Sequence, residues 1–429
     1  ADLIITDQPA EDGLGTIVRI QSEDSPGFLY ELSNALSLCG FRTQRASFKV
    51  NYGVVDDELF ITDGDLATPL SDARLEELHN AVTLIQQFSL WLPSSNDPWR
   101  LLIRFRRLLQ TLLGDPVAQS STEALHSPEV LGRVARVLGL SRHLWEDALQ
   151  HQSDLIPMLS EADQLQTAVS VADLSRDVWG HIGEAEDSAD ARKQLNRFKD
   201  RHLFRIELRH VLGHCQGFGD FSHEITQVAE VTLEAAAMLA VKELLDGDRQ
   251  QDTMPPCAWT LAGLGKFGGV EMGYGSDIEL LLVYDDVHDN PSRSAPGPWF
   301  ERLLVRVTEI ISARRDGIFE IDLRMRPWGQ AGSVAVALSQ FESYYSAQGN
   351  AWPYERQALV KLRSFGPDVA FGKRLSEVRD RVVYDGRPFD FAAMSGLREQ
   401  QVRQHIQPGT THAQLSEACL VDIEYSVQA

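Results

Sequence analysis

The sequence contains few cysteines and no long apolar run. Its 429 residues include four scattered cysteines, Cys39, Cys215, Cys257 and Cys419, and no two of them have metal-ligand spacing. So few thiols in so long a chain argue against a disulfide framework and indicate reduced thiols in a cytoplasm. Charged residues interrupt each apolar stretch before the ~20 residues that a membrane span needs. The N-terminus lacks a basic region followed by an apolar run, so we expect no signal peptide and no membrane partner.

Positive charge is also scarce. The chain has 40 Lys and Arg residues against 62 Asp and Glu residues, which gives a formal net charge of −22. This average charge repels DNA and RNA, so we expect no nucleic-acid partner, although a local basic patch is compatible with the same total. The length predicts two to four domains, and an acidic protein of this kind can act on another protein.

Residues 13–63 have the pattern strand, helix, strand, strand. Thr16–Ile20 is β-rich, and Ser25–Gly27 is a turn signal before an apolar helical stripe that ends at Gly40. Arg45–Val50 and Val54–Ile61 predict two further strands. With the segment Glu23–Leu29 between the first strand and the helix, this order resembles an ACT domain.

ACT domains are small ferredoxin-like regulatory modules that often bind an amino acid where two of them meet. The resemblance implies such a ligand near Asp24–Leu29, because exposed N–H groups at a helix N-terminus favour a carboxylate. A ferredoxin-like module without a ligand is the alternative.

Apolar residues at spacings of three and four predict helices from about Leu75 to Leu245, followed by a polar linker at 246–256. The predicted breaks in this helical region are Pro93–Pro98, Gly114–Pro116, Pro157 and Gly217–Gly219.

Two carboxylates mark the start of an apolar strand. Asp277 and Glu279 immediately precede Leu280–Tyr284. Side chains two apart on a strand leave the same face, with Cα atoms ~6.5–7 Å apart. Carboxylates at this spacing can bracket divalent ions, and hard oxygen ligands suit Mg²⁺.

A third carboxylate is predicted on a second strand. In Ile318–Arg326, apolar residues alternate with charged ones, so Asp322, Arg324 and Arg326 are expected to share one face. A metal ion bound by Asp322 and a phosphate bound by the two arginines would compensate the charges of that face. An exposed polar face is the alternative, and Asp277 and Glu279 weigh against it.

Glycines surround the first carboxylate pair. They allow close backbone approach and positive φ, so their N–H groups can cradle phosphates. The candidates for the phosphate side are Gly265, Lys266, Gly275 and Ser276. The spacing is not that of a P-loop, and the segment leads into a strand rather than the helix of a dinucleotide fingerprint.

Together, Gly265, Asp277, Glu279 and Asp322 resemble the pattern of the nucleotidyltransferase superfamily. The closer resemblance, over roughly residues 125–429, is to glutamine synthetase adenylyltransferases. It is carried by Gly263–Gly269, Gly273–Asp277, Glu320–Gly329, Tyr344–Tyr345 and Trp352–Arg363. Two features differ from that family: Glu279 stands at a usual aspartate, and Gln414–Leu420 replaces a glycine-rich run.

This resemblance implies an enzyme that uses Mg²⁺ to move AMP between ATP or ADP and a tyrosine of glutamine synthetase. Asp277, Glu279 and Asp322 would then be the catalytic metal ligands. The nucleotide would contact Gly265, Lys266, Gly275, Ser276, Arg324 and Arg326. A PII-type signalling protein is a further candidate partner.

Two other functions remain open. The first is transfer of UMP to a PII-type protein, but such enzymes carry a His-Asp phosphohydrolase domain, and the one such pair here, His288-Asp289, lies in a polar loop. The second is a regulatory module with an inactive nucleotidyltransferase site, which the intact acidic positions disfavour.

The sequence therefore predicts a multidomain α+β protein. Its expected parts are an ACT-like module (1–70), a helical bundle (71–250), a nucleotidyltransferase-fold mixed sheet (251–365) and the start of a helical domain (366–429). The chain ends inside the patterned segment Leu420–Tyr425, as a fragment would.

The resemblance also bears on the direction of catalysis. Family members typically carry a half that removes AMP, followed by a half that attaches it. The position of this unit, after a sensor and a helical lead-in, favours the removing half. Tyr344–Gly349 also resembles that half, whereas Gly273–Asp277 and Glu355–Leu359 resemble the other.

Overall fold

The structure is a computed structural model. It describes residues 4–11, 13–23, 28–64, 68–113, 119–140, 145–146, 148–149, 152–247, 254–286, 295–313, 319–407 and 409–428. The chain forms two compact units. The first consists of Ala1–Thr167 and Phe204–His214, and the second of Ala168–Leu203 and Cys215–Ala429. The finer division into four domains stays a prediction.

The first unit begins with an antiparallel sheet. Its order is β1-β2-β5-β3, with β4 paired to β5. A helix, α1 (Phe28–Leu38), connects the second strand to the third. The strands are β1 (Ile4–Pro9), β2 (Thr16–Glu23), β3 (Phe41–Ser47), β4 (Val50–Asn51) and β5 (Val54–Asp63).

The predicted order of strand, helix, strand and strand is confirmed over β2 to β5. Helix α1 buries Leu32 and Leu36 on one face, the spacing of an amphipathic helix. It ends near Gly40, whose φ of 75° suits a helix C-terminus. Tyr52 (φ 51°) and Gly53 (φ 80°) are both left-handed, as the two-residue hairpin between β4 and β5 requires.

The sequence pattern does not predict the strand that lies at the edge of the sheet beside β2. In a ferredoxin-like β-α-β-β-α-β module, the last strand follows the second helix. Here the described residues after α2 (Asp72–Ser89) add no strand to this sheet, and β1 from the start of the chain pairs with β2 instead. The expected ligand segment Asp24–Leu29 lies outside the described residues except for Phe28 and Leu29.

Helices complete the first unit, as predicted. Their apolar faces share one core with the sheet, in which the rings of Phe88 and Phe105 stack 3.6 Å apart. After α2 come α3 (Pro98–Leu113), α4 (Gln119–Ala124), α5 (Pro128–Leu140) and α6 (Gln152–Ser160).

The predicted helix break at Pro157 is wrong. Helix α6 continues through this residue, at the cost of one backbone hydrogen bond. Its neighbours Leu155, Ile156 and Leu159 are fully buried, so their packing outweighs that loss. The predicted break at Gly114–Pro116 lies outside the described residues.

Long helices lead into the sheet of the second unit, and the end of one of them, α8 (Ser188–Leu212), belongs to the first unit from Phe204 onward. The helices, in chain order, are α7 (Val171–Gly183), α8 (Ser188–Leu212), α9 (Phe218–Gly247), α10 (Gly265–Gly268), α11 (Gly297–Ile310), α12 (Leu338–Tyr345), α13 (Pro353–Ala358), α14 (Val369–Val383), α15 (Phe391–His405) and α16 (Leu420–Gln428). The strands are β6 (Trp259–Gly263), β7 (Ile278–Tyr284), β8 (Ile321–Asp322), β9 (Ala335–Ala337) and β10 (Arg363–Phe365).

Strand β7 organises this mixed sheet. It pairs antiparallel with β6, parallel with β8 at its beginning and parallel with β9 at its end. Of its seven residues, Glu279 is the one that is not fully buried. A carboxylate thus lies at the start of a strand that is otherwise core, and the α+β class is confirmed.

None of the helices within the described ranges combines the length and apolar character that a bilayer crossing requires.

Candidate functional site

The predicted acidic residues lie where β7 and β8 pair. Glu279 is directly opposite Asp322 in the parallel register, and adjacent strands are about 4.8 Å apart. Paired residues project to the same face, so these two carboxylates leave the sheet together. Asp277 is two residues before Glu279 and immediately precedes β7. The second strand thus places Asp322 beside Glu279, and the role of the three carboxylates as metal ligands stays a prediction.

The charges of the other two carboxylates act on Glu279. Burial, and then the negative charges of Asp277 and Asp322, raise the pKa of Glu279. The pKa of Arg324 is raised chiefly by its hydrogen bonds to Asp322, and also by the charges of Asp277 and Glu279. One guanidinium therefore lies within the field of all three acids.

Arg324 forms direct hydrogen bonds with the Asp322 carboxylate. Its Nε donates to Oδ1 over 2.9 Å, its Nη2 donates to Oδ2 over 2.6 Å and its backbone N–H donates to Oδ1 over 2.8 Å. Burial alone would raise the pKa of Asp322, but these bonds hold it below its usual value. The Arg324 side chain is 69% exposed, so it can turn towards an incoming anion.

The strand predicted over Ile318–Arg326 is much shorter than expected. β8 has two residues. The left-handed φ of Phe319 (57°) delays its start, and beyond Asp322 the Arg324 N–H donates to the Asp322 side chain. The alternation of faces therefore does not extend to Arg326.

Arg326 instead closes the loop that follows β8. Its guanidinium donates to the carbonyl oxygens of Gly332 (3.1 Å), Gln330 (3.4 Å) and Leu323. A phosphate contact for Arg326 would require it to leave these carbonyls, and that contact stays a prediction.

Gly265 lies directly against Glu279. Its φ is +49°, and a Cβ added to it would be 1.5 Å from Oε2 of Glu279. The backbone N–H of Leu264 also donates to the Glu279 carbonyl over 2.9 Å. The glycine turn and the carboxylate can touch only because residue 265 has no side chain.

The other predicted phosphate residues differ in their roles. Ser276 is buried, and its Oγ accepts a 2.9 Å hydrogen bond from the Gly273 N–H. Its carbonyl accepts another, also 2.9 Å, from Phe319. Ser276 thus fastens the turn before β7 to the chain before β8. Lys266 is exposed, and its charge opposes the rise in the pKa of Glu279. Gly275 is exposed, with nothing within 4 Å of an added Cβ.

The fit of this cluster to a metal ion can be assessed from its donors. Across the ranges that the structure describes, no three His, Cys, Asp or Glu side chains are placed so that they could hold a metal as they stand. The two oxygens of Asp322 face Arg324 rather than Glu279. The donor set, three carboxylates beside a glycine turn, is nevertheless of the oxygen type that Mg²⁺ prefers.

Lys361 is a site residue that sequence reasoning did not select. Its side chain is 13% exposed, and its Nζ donates to Glu271 over 2.6 Å and also to Glu424. Its charge lowers the pKa of Glu279. Its place in the segment Trp352–Arg363 was the available signal, but pattern alone could not show that the segment returns to the cluster.

Arg363 was missed for the same reason. It donates to the carbonyl oxygens of Gly268 (3.0 Å) and Phe267 (3.1 Å) and pairs with Glu230 on α9. These contacts hold the glycine turn in place from the next strand of the sheet.

Known proteins share this organisation of sequence. The profile of the glutamate-ammonia ligase adenylyltransferase family matches residues 131–378. Curated relatives carry the name bifunctional glutamine synthetase adenylyltransferase/adenylyl-removing enzyme. One from Neisseria meningitidis is 29% identical over 70% of this chain and 32% of its own length. One from Shewanella loihica is 27% identical over 71% and 32%, and one from Methylococcus capsulatus is 27% identical over 78% and 36%.

The chain spans about a third of the length of these relatives. The profile covers more than half of the chain and includes the glycine turn and all three acidic positions. The chain belongs to the glutamate-ammonia ligase adenylyltransferase family.

Proposed function

We propose that this chain is a metal-dependent nucleotidyltransferase unit that moves AMP between a nucleotide and a tyrosine of glutamine synthetase. The observation that carries the proposal is the parallel register of Glu279 with Asp322, which brings Asp277 into the same acidic cluster. The family match covers this cluster, and the relatives' name supplies the reaction and the substrate.

In this proposal Asp277, Glu279 and Asp322 hold Mg²⁺. When bound, the metal neutralises phosphate charge and orients the reacting oxygens. Gly265 lets the backbone approach without displacing Glu279, and Ser276 keeps the turn attached to the chain before β8. Arg324 offers an exposed guanidinium that can leave Asp322 for a phosphate oxygen.

Attachment and removal of AMP would use the same groups. In attachment, the tyrosine oxygen bonds to the α-phosphorus of ATP, pyrophosphate leaves and the phenolic proton is lost. In removal, a phosphate oxygen bonds to the same phosphorus, and the tyrosine oxygen leaves and takes a proton, which yields ADP. Because both are in-line displacements at phosphorus, the carboxylates cannot distinguish them.

We expect the removal reaction from this chain. Its catalytic unit follows an N-terminal sheet and a helical lead-in, the order of the removing half, although its motifs are divided between the two halves. The test incubates the chain with Mg²⁺, AMP-modified glutamine synthetase and phosphate, and separately with unmodified glutamine synthetase and labelled ATP. We expect ADP in the first reaction and no incorporated label in the second.

Label in the second reaction without ADP in the first would reverse this direction. A third arm with labelled UTP and a PII-type protein tests the alternative, and transfer there alone would replace the proposed function.

We further propose that the first 70 residues are an ACT-like regulatory module that binds an amino acid. The β-α-β-β order and the packing of α1 on the sheet support it. Calorimetry on the whole chain with glutamine and the other common amino acids should show heat for at least one of them. No heat with any of them would contradict the ligand part of this proposal.

A further inference from the structure

We propose that Trp328 is a stacking platform for the nucleobase of the nucleotide substrate, an inference that rests on the proposed function. Its indole is half-exposed, on the loop that leaves the third carboxylate.

The backbone at this position is strained. Trp328 has φ 61°, and Gly329, which follows it, has φ 55°. A bulky residue in the left-handed region raises the free energy and persists where its surroundings enforce it, often at functional sites. Phe319 has a similar φ but buries its ring near the Lys199 ammonium, so packing explains it. The ring of Trp328 gains no comparable burial.

The surroundings of Trp328 do enforce its conformation. Arg326 binds three carbonyls of the loop, and a Cβ at Gly332 would be 2.0 Å from the Pro327 carbonyl oxygen. The Trp328 ring lies 4.7 Å from the ring of Tyr344, whose hydroxyl donates to Glu355 over 3.0 Å. The Trp328 backbone also hydrogen-bonds to Tyr344. The loop is therefore built to hold one face of an indole at the surface.

The platform lies near the cluster. Trp328 is four positions after Arg324, so their Cα atoms are at most ~14 Å apart. Hydrogen bonds from Arg326 N–H to the Arg324 carbonyl and from Gly329 N–H to the Arg326 carbonyl fold this segment and shorten that distance.

A flat aromatic surface selects a flat ligand. The carboxylates, glycines and arginines of the cluster contact charge and phosphate, and none of them recognises a base. A nucleobase is the part of the substrate with a π face, and base stacking on an aromatic side chain is sequence-tolerant. Trp328 thus supplies affinity for a base without choosing among bases by hydrogen bonds.

The test compares ligands with and without a base. Binding of ATP and of inorganic triphosphate, each with Mg²⁺, is measured by calorimetry on the whole chain and on Trp328→Ala and Trp328→Phe. We expect Trp328→Ala to weaken the binding of ATP about 5- to 150-fold and to leave the binding of triphosphate unchanged. Trp328→Phe should keep most of the wild-type affinity for ATP. The control variant, Trp179→Ala, removes a similarly exposed indole from α7. It should change neither the affinity for ATP nor the affinity for triphosphate.

If Trp328→Ala weakened the binding of ATP and of triphosphate equally, the loop would support the phosphate site, and the stacking proposal would be wrong. Unchanged ATP binding in Trp328→Ala would overturn it as well, and would point to Trp328 as a contact for the protein substrate. If the wild-type chain binds ATP but transfers nothing to or from glutamine synthetase, the proposed function fails and the platform stands. If it binds no ATP, the platform fails, whereas the proposed removal of AMP, which consumes phosphate and not ATP, is decided by the release of ADP alone.

Discussion

Replacing Asp277 with Asn is expected to reduce AMP transfer or removal by more than about 100-fold while leaving the fold intact. The amide has nearly the same shape as the carboxylate but no negative charge, so it is a poorer ligand for a hard cation. Asp277 also contributes to the field on Glu279 and Arg324. The measurement is the initial rate of the reaction that the wild-type chain catalyses, with circular dichroism and thermal unfolding to follow the fold.

Glu309→Gln provides the matched control. This carboxylate is on α11 and pairs with Arg306 over 2.7 Å at the surface. Exposed pairs contribute little, so its rate should stay within about twofold of wild type. The metal assignment would be wrong if Asp277→Asn kept wild-type activity, or if the control lost as much as the variant.

Local signals were sufficient for much of the fold. The stripe of α1 and the apolar strand after Glu279 each depend on residues close together in sequence, and the structure confirms them. β1 was missed because its sequence, IITDQP, has one short apolar pair, and five of its six residues are exposed. β1 is a strand because it pairs with β2, and its own sequence pattern does not predict that pairing.

Other errors came from applying a local rule where tertiary packing decides. Proline predicts the end of a helix at Pro157, but buried neighbours carry α6 through it. Alternating charges over Ile318–Arg326 predicted a long strand, but the left-handed Phe319 and the Arg326-centred loop leave two paired residues.

In the candidate site, too, local patterns identify some residues, and others depend on contacts between distant parts of the chain. The spacing of Asp277 and Glu279 and the place of Asp322 in an alternating segment were visible in the sequence, because strand periodicity fixes which face each one takes. Lys361 and Arg363 were not selected, because their contacts with Glu271, Glu424 and Glu230 join residues 63 to 133 positions apart. Such contacts depend on topology, which a pattern does not contain.

The glycine turn carries the second large effect that we expect. Gly265→Ala would place a Cβ 1.5 Å from the Glu279 carboxylate and force alanine into a φ of +49°. The conformation itself costs roughly 1–2 kcal/mol. Because Glu279 must move to relieve the contact, and a displacement near 1 Å can reduce a rate ~100-fold, activity should fall by about that factor. Gly396→Ala is the control, since its added Cβ meets nothing within 4 Å in the middle of α15.

The contact between residues 265 and 279 can be tested by a double variant. Glu279→Asp withdraws the carboxylate by one methylene. In Gly265→Ala/Glu279→Asp the clash should be relieved, so the double variant should be more active than the product of the two single effects predicts. Rescue should be partial, because the strained φ remains. Strictly multiplicative losses would show that backbone strain alone inactivates Gly265→Ala, and that Glu279 does not need its contact with the glycine turn.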